Sequence, residues 1–308
     1  MNNFIKIICD SICKILFYFN NFIQKLTGKN FLYYFKEKFE LDNYIKIKIQ
    51  RKDIKFFVPN KTTKWRVDTL FSKEPETLEW IDKFNKKNSP VFWDIGANIG
   101  LYSLYAASVH EDIEIISFEP STSNLRILSR NISINNLSSK VKINQLPLCA
   151  DSNINSIMHE PNFIEGWAMN SFGESKDYLG KNFISEQKYS LYGTNIDFYI
   201  ENKILKVPNY IKIDVDGIEH KILQGAKTCL SDKKLESISI KLNENYQEQN
   251  EIIIKIMAEF DFKLKHKKHA KILIIIVNFQ NFTILFLNEK TNLFKFRYQE
   301  EEHLYSLP

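Results

Sequence analysis

The chain has no CxxC pair. Its four cysteines, Cys9, Cys13, Cys149 and Cys229, share no repeated spacing, which argues against a thiolate zinc site and a disulfide framework and fits a reducing compartment. A basic tract is missing too. The 42 basic and 37 acidic residues leave a formal charge of +5, mostly by alternation of sign. A protein that follows phosphate backbones gathers its cations on one face, so nucleic acid is not an expected partner. The one dense cluster, Lys263–Lys271, reads as a solvated loop. Lys6, Asp10 and Lys14 interrupt the apolar N-terminus and no small-residue cleavage site follows, so a signal peptide, a membrane span and export are disfavoured and a cytoplasmic location is expected. Neither a solenoid-period repeat nor a Pro- or Ser-rich linker divides the chain. The simplest organisation is an appendage over 1–60 and one principal domain over 61–308.

What is present begins with an amphipathic helix. Phe4, Ile8, Ile12, Ile15, Phe19, Phe22 and Leu26 recur every three or four positions, while Lys6, Asp10, Lys14, Asn21 and Lys25 take another face. Such a stripe packs on the body of the protein or on a partner subunit of a homo-oligomer, or it lies on a membrane surface as a peripheral contact. Tyr44–Gln50, the turn-like Arg51-Lys52-Asp53 and Ile54–Val58 read as a β-hairpin. A helix over Thr69–Asn85, with Pro75 and acidic residues near its start, leads into the next strand.

Val91–Gly100 is the organising stretch. An apolar run ends in Asp94, Gly96 and Gly100 bracket a turn, and Leu101–Ser108 continues as a helix, which is the grammar of a nucleotide-binding turn at the carboxyl end of a strand. A Cβ at either glycine would obstruct the sharp turn and the close approach of a ligand. The dinucleotide fingerprint needs a further glycine between them, where Asn98 stands, so NAD-dependent oxidation is the weaker alternative. Ile113–Phe118 is a second strand, and Glu119 lies 19 residues beyond Gly100. A carboxylate roughly 20 positions past such glycines accepts hydrogen bonds from ribose hydroxyls. A helix over Ser121–Asn136 and a third strand over Val141–Leu148 follow. The strand ends near Cys149-Ala150-Asp151, where adenine is commonly read, and Asp151 is counted among the ligand-binding candidates.

Ser152–Leu205 breaks the alternation and reads as an insertion of loops and short strands near the mouth of the site. Within it Asn162–Gly173, with Glu165, Trp167, Asn170 and Ser171, is either a lid or an ordinary surface excursion. A fourth strand, Tyr210–Asp214, is followed by Asp216, Gly217, Glu219 and His220, which open a helix to about Leu230. The paired carboxylates can raise one another's pKa, hold a divalent ion or supply a general base. Alternatively, Asp216 caps that helix with Glu219 in its first turn. Leu235–Leu242 is a fifth strand, Asn250–Phe260 a helix, Phe262–Lys267 a sixth strand and Thr283–Leu287 a seventh, with Ile272–Val277 an added strand.

Together Asp94-Ile95-Gly96-Ala97-Asn98-Ile99-Gly100, Phe118-Glu119-Pro120 with Asn124 and Leu128, and Lys212-Ile213-Asp214-Val215-Asp216-Gly217-Ile218-Glu219 resemble the FkbM family of S-adenosylmethionine-dependent methyltransferases over roughly 74–288. The resemblance implies an α/β, Rossmann-like methyltransferase domain: a seven-stranded, mostly parallel sheet with an antiparallel last strand. It also implies S-adenosylmethionine as donor and O-methylation of a sugar hydroxyl on a glycan, or of another small-molecule acceptor. Carried onto this chain, Asp94, Gly96 and Gly100, with Asn98 between them, hold the methionine and ribose end of the donor, and Glu119 the ribose hydroxyls. Asp214 faces the reaction centre as first candidate for general base and His220 is the second, beside its plain reading as a surface helix residue. The Asp214–Asp216 pair is compatible with magnesium, but no metal is indicated. Where the family commonly shows a glutamate on the fifth strand this chain places Lys241, so that role is lost or passes to Glu244. A catalytically inactive donor-binding scaffold is the remaining alternative.

Overall fold

The structure, a computed structural model, describes residues 3–85, 89–243, 245–269 and 273–278. Helices α1 (Asn3–Thr27) and α2 (Leu32–Asp42) form an N-terminal hairpin, followed by the antiparallel pair β1 (Tyr44–Ile49) and β2 (Lys52–Phe57). The β-hairpin belongs to the main core: Ile49, Ile54, Phe56 and Phe57 are buried with Leu104, Ile127 and Leu128 of the following domain. Most of α1, in contrast, is exposed on every side, so the expectation that its stripe packs on the body is not met among the described residues.

The single helix expected over Thr69–Asn85 is instead broken. Helix α3 (Lys61–Asp68) precedes α4 (Leu70–Lys73), and α5 (Pro75–Asp82) restarts with Pro75 at its first position. Proline cannot donate to the preceding turn, and it restricts Glu74 before it, so the break falls there.

Five parallel strands then make the centre of the sheet: β3 (Val91–Ile95), β4 (Glu114–Phe118), β5 (Val141–Asn144), β9 (Tyr210–Ile213) and β10 (Ser237–Leu242), in the order β5-β4-β3-β9-β10. Crossover helices α6 (Leu101–Val109) and α7 (Thr122–Ile134) connect the first three. The third strand is shorter than expected and ends at Asn144, whose side chain accepts from Leu146 N at 3.0 Å and turns the chain.

The insertion is more ordered than its composition suggests. It holds an antiparallel sheet of β6 (Ile154–Glu160), β7 (Ser171–Phe172) and β8 (Gln187–Gly193), then helix α8 (Ile196–Glu201). After β9 the helix stops at Gly225, where any Cβ would lie 2.5 Å from the Cys149 carbonyl oxygen. It is therefore two pieces, α9 (Glu219–Gln224) and α10 (Lys227–Ser231). Helix α11 (Gln247–Glu259) leads to β11 (Lys263–His269) and β12 (Leu273–Asn278), which pair antiparallel with each other, β12 also pairing antiparallel with β10. Most of the basic cluster Lys263–Lys271 is thus edge-strand backbone rather than loop, and the apolar run after it is a strand. Thr283–Leu287 lies outside the described residues.

One core lies on each face of the sheet, because the parallel strands are covered by helices on both sides. Polar side chains that survive inside such a sheet stand out, and they cluster at the carboxyl ends of β3, β9 and β10.

Candidate functional site

The turn after β3 is fixed by its backbone. Gly96 N and Ala97 N both donate to the Phe118 carbonyl at 3.0 Å, binding the turn to the end of β4. Gly96 has φ +80°, and a Cβ there would stand 2.0 Å from the Asp214 carbonyl oxygen. No side chain fits between these strand ends. Asn98, also left-handed at φ 51°, donates its backbone N–H to Glu119 Oε2 at 2.7 Å, and Ser121 N donates to Oε1 at 3.0 Å. Burial pushes the Glu119 carboxyl up to about 7, although these donors and Asn124 pull it back.

Below the turn lies a chain of buried and half-buried charges whose middle is set by strand register. Asp94 stands opposite Lys212 across β3 and β9, and the β9–β10 register sets Lys241 beside Asp214. Side chains two apart on a strand share a face, so Lys212 and Asp214 meet as well. Lys212 Nζ is 3.5 Å from Asp94 Oδ1 and 3.6 Å from Asp214 Oδ2. Lys241 Nζ is 3.1 Å from Asp214 Oδ1 and 3.4 Å from Glu74 Oε1. Tyr102 donates to Glu74 Oε2 at 2.6 Å, and Lys73 lies 3.7 Å from its other oxygen. Three carboxylates and three ammoniums alternate, so no charge is left without an opposite one. Burial alone would raise the Asp214 carboxyl, but Lys241, Lys212 and Lys73 hold it well below the usual carboxylate range. Lys241 is raised correspondingly: Asp214 and Glu74 outweigh its burial.

Two cavities meet above this chain. The smaller, about 70 Å³, is lined by Gly96, Asn98, Glu119, Asn124, Leu148 and Asn170 among others. The larger, about 510 Å³, opens among Trp65, Arg66, Tyr178, Lys241, Asn243 and Gln249. Both reach Asp214 and Asp216, and the strap Trp167–Met169 stands between them. The strap is pinned by hydrogen bonds. Asn98 Nδ2 and Asn124 Nδ2 donate to the Trp167 carbonyl at 2.8 and 3.2 Å, and Asn124 Oδ1 accepts from Gly166 N at 2.8 Å. Arg66 Nε donates to the Gly166 carbonyl. Met169, itself at φ 64°, donates its backbone N–H to Asp216 Oδ2 at 2.8 Å. The segment Asn162–Gly173 therefore does stand over the site. Asn98→Ala is expected to free the strap, accelerating amide exchange at Gly166–Met169 severalfold while exchange in β3 and β4 is unchanged.

The structure brings Gly96, Asn98, Glu119 and Asp214 to the smaller cavity. Asp94 lines neither cavity: it is fully buried, accepts from Ser103 Oγ at 2.6 Å and reaches the site through Lys212. Gly100 forms the start of α6, where a Cβ would meet Leu128 at 2.6 Å. Asp151 is exposed on a bend and lines neither cavity. His220 also stands outside both, with Nδ1 3.3 Å from Gln249 Nε2 and its ring edge-on to Tyr246; burial and Lys221 lower its pKa. The helix-capping reading of Asp216 fails, since among the described residues no side chain caps α9 and Asp216 is turned to the strap. Glu219 instead folds back to accept from Gly217 N at 3.1 Å, Val215 N at 3.2 Å and Gln249 Nε2 at 2.7 Å. Glu244 lies outside the described residues. Among the described residues, no group of three His, Cys, Asp or Glu is arranged to hold a metal ion.

Burial raises the Glu219 carboxyl to about 7. A carboxyl raised on folding contributes stability that is complete below its unfolded value near 4.3 and is lost as pH rises through the folded value. Glu219→Gln is therefore expected to flatten the fall in stability between about pH 4 and 7, a difference of up to about 3 kcal/mol. Urea unfolding at a series of pH values measures the slope.

Among known proteins, the Methyltransferase FkbM domain family matches residues 94–264. Methyltransferase sdnD of Sordaria araneosa is 27% identical over 172 residues, which are 50% of this chain and 66% of that protein, so the match spans just under two thirds of the relative's length. Among solved structures, a precorrin-6y C5,15-methyltransferase from Geobacter metallireducens is similar at 12% identity and TM-score 0.42, covering 69% of this chain and 91% of its own. TrmK of M. capricolum, in complex with S-adenosyl-homocysteine, is similar at 12% identity and TM-score 0.38, covering 65% of this chain and 66% of its own.

Proposed function

Because the chain belongs to the FkbM methyltransferase family, we propose that it transfers a methyl group from S-adenosylmethionine to a hydroxyl oxygen of a sugar in a glycan or glycoconjugate. The observation that carries the reading is the junction of two unlike cavities at Asp214, one against the glycine turn and Glu119, the other walled by Trp65, Trp167 and Tyr178. The smaller one fits a nucleoside donor chemically. Glu119 offers a carboxylate, and among the described residues the buried Trp167 Nε1 and Asn170 Oδ1 lack hydrogen-bond partners. At about 70 Å³ it is narrower than such a ligand, so entry requires the strap to yield. A third, narrow cleft beside the turn gathers Arg66, Lys73 and Lys212 with Asp214, a charge set suited to the amino-acid end of the donor.

The donor supplies a methyl group on a sulfonium, whose leaving group is already good. The protein's contribution is then chiefly alignment of the acceptor oxygen with that carbon. Held by two lysines, Asp214 stays ionised through the neutral range and is a weak base. Its part is to accept a hydrogen bond from the acceptor hydroxyl and fix its direction, the hydroxyl proton passing to solvent water once the oxygen carries the methyl group. His220, outside both cavities, is not placed to take that proton. Flat aromatic faces beside the polar edges of Asn243 and Gln249 suit a sugar ring in the larger cavity.

Donor affinity should depend on pH through Glu119. Because its carboxyl titrates near 7, affinity for S-adenosylhomocysteine is expected to fall by up to about tenfold per pH unit below that value. Glu119→Gln should remove this dependence in calorimetric titrations at pH 6 and 8. The overall reading is tested by comparing, by mass, glycans of cells with and without the gene, and by incubating full-length protein with methyl-labelled donor and a glycan fraction. A methyl group missing from one glycan in cells without the gene, and label entering that glycan in vitro, support it. Donor binding with no incorporation into any fraction would make the chain a donor-binding scaffold.

A further inference from the structure

We propose that the α1–α2 hairpin is an in-plane docking surface for a bilayer carrying anionic headgroups. Among the described residues, Asn20 is the only buried side chain of α1, where it accepts from Leu32 N at 3.3 Å. Phe4, Ile8, Ile12, Ile15, Phe19 and Phe22 form one row, each between 42% and 69% exposed, on a helix about 37 Å long. Lys6, Lys14 and Lys25 stand on the other side, with α2 adding exposed Tyr33, Tyr34 and Phe39. Monomeric proteins rarely leave so continuous an apolar patch bare. Among the described residues, no helix is long and apolar enough to cross a membrane, so the face lies along a surface rather than through it.

Shape and charge both favour lipid over a second copy. A partner helix covers a stripe roughly 100° wide, yet Ile5 and Tyr18 are exposed on the two flanks of the main row. A lipid interface takes a wider apolar sector and lets lysines and tyrosines keep their polar ends at headgroup level. Helix α1 and the turn after it carry Lys6, Lys14, Lys25 and Lys29 against Asp10, while Lys36 and Lys38 of α2 are offset by Glu37, Glu40 and Asp42. A second copy packed on the apolar row would leave those lysines without acidic partners, whereas anionic headgroups complement them. The hairpin is also tied to the strap: Glu40 pairs with Arg126 and, at 3.2 Å, with Arg130, and Arg126 pairs with Glu165 at 3.0 Å. Docking would therefore bind to the membrane the same side of the molecule that carries the strap and the larger cavity, where a lipid-linked acceptor could reach it.

Co-sedimentation of the full chain with phosphatidylcholine vesicles, with and without roughly one third phosphatidylglycerol, tests this. Partitioning onto the anionic vesicles is expected to be at least about tenfold stronger and to weaken with salt. Ile8→Asp with Ile15→Asp should lower it about tenfold or more, leaving the thermal midpoint and S-adenosylhomocysteine affinity unchanged. Lys6→Glu with Lys14→Glu should lower it on anionic vesicles alone. Failure to sediment with either vesicle overturns the proposal, and equal partitioning overturns its anionic part. If Ile8→Asp with Ile15→Asp instead turned a stable dimer into monomer without moving vesicle partitioning, the face would belong to a second copy.

Discussion

Gly96→Ala is expected to abolish donor binding and to destabilise the protein by more than about 3 kcal/mol. The φ of +80° costs an alanine about 1–2 kcal/mol by itself. The added carbon would also stand 2.0 Å from the Asp214 carbonyl oxygen, which belongs to backbone and cannot rotate away. Either β3 and β9 separate at their ends or the turn leaves Phe118, and both changes dismantle the junction of the two cavities. Gly28→Ala is the control, because its φ is +70° but no atom of the described residues lies within 4 Å of the new carbon. It should cost only the backbone strain and leave donor affinity intact. Urea unfolding and calorimetry with S-adenosylhomocysteine, run on both variants, separate packing from strain.

Lys241→Met is expected to be nearly as damaging, for an electrostatic reason. It removes the ammonium shared by Asp214 and Glu74, and breaking such a largely buried pair from one side costs up to about 3 kcal/mol. The loss should depend on pH. Asp214 is depressed on folding, so its contribution is complete above its unfolded value near 3.9 and is lost as pH falls through the lower folded value. The gap between native protein and variant should be widest near neutrality and narrow in acid. Adding Asp214→Asn to Lys241→Met should recover part of the stability, since it removes the charge left unpaired, and a double-mutant cycle reads that coupling. Lys241→Glu should be worse than methionine because it sets a third carboxylate beside Asp214 and Glu74.

The glycine turn, Glu119 and the strand ending at Asp214 were legible because each obeys a local rule: an apolar run, a left-handed position, a carboxylate at a strand end. The charge chain was not. Lys212 within Tyr210–Ile213 and Lys241 within Ser237–Leu242 are visible as charges inside apolar strands, but their partners depend on which strands are neighbours and in what register. Glu74 looked like a helix-start residue before Pro75, and only the tertiary fold brings it to Lys241. Asp94 was expected at the ligand from its strand-end position and the family resemblance, and His220 as second candidate for the base beside its plain reading as a surface helix residue. Burial against Ser103 and Lys212, and the facing of His220 toward Gln249, put them elsewhere. In the insertion, asparagine and serine suggested loops with short strands, while β6 and β8 pair along seven residues. Alternation such as Tyr189, Leu191 and Gly193 was the overlooked signal.

The most direct measurement is calorimetric titration of the full chain at pH 8 with S-adenosylhomocysteine and, separately, NAD, repeated on Glu119→Ala. One-to-one binding of S-adenosylhomocysteine, weakened at least about tenfold by the substitution, with no heat from NAD, is the expected result. Binding of NAD without S-adenosylhomocysteine, or S-adenosylhomocysteine affinity indifferent to Glu119, would contradict the assignment of the donor site.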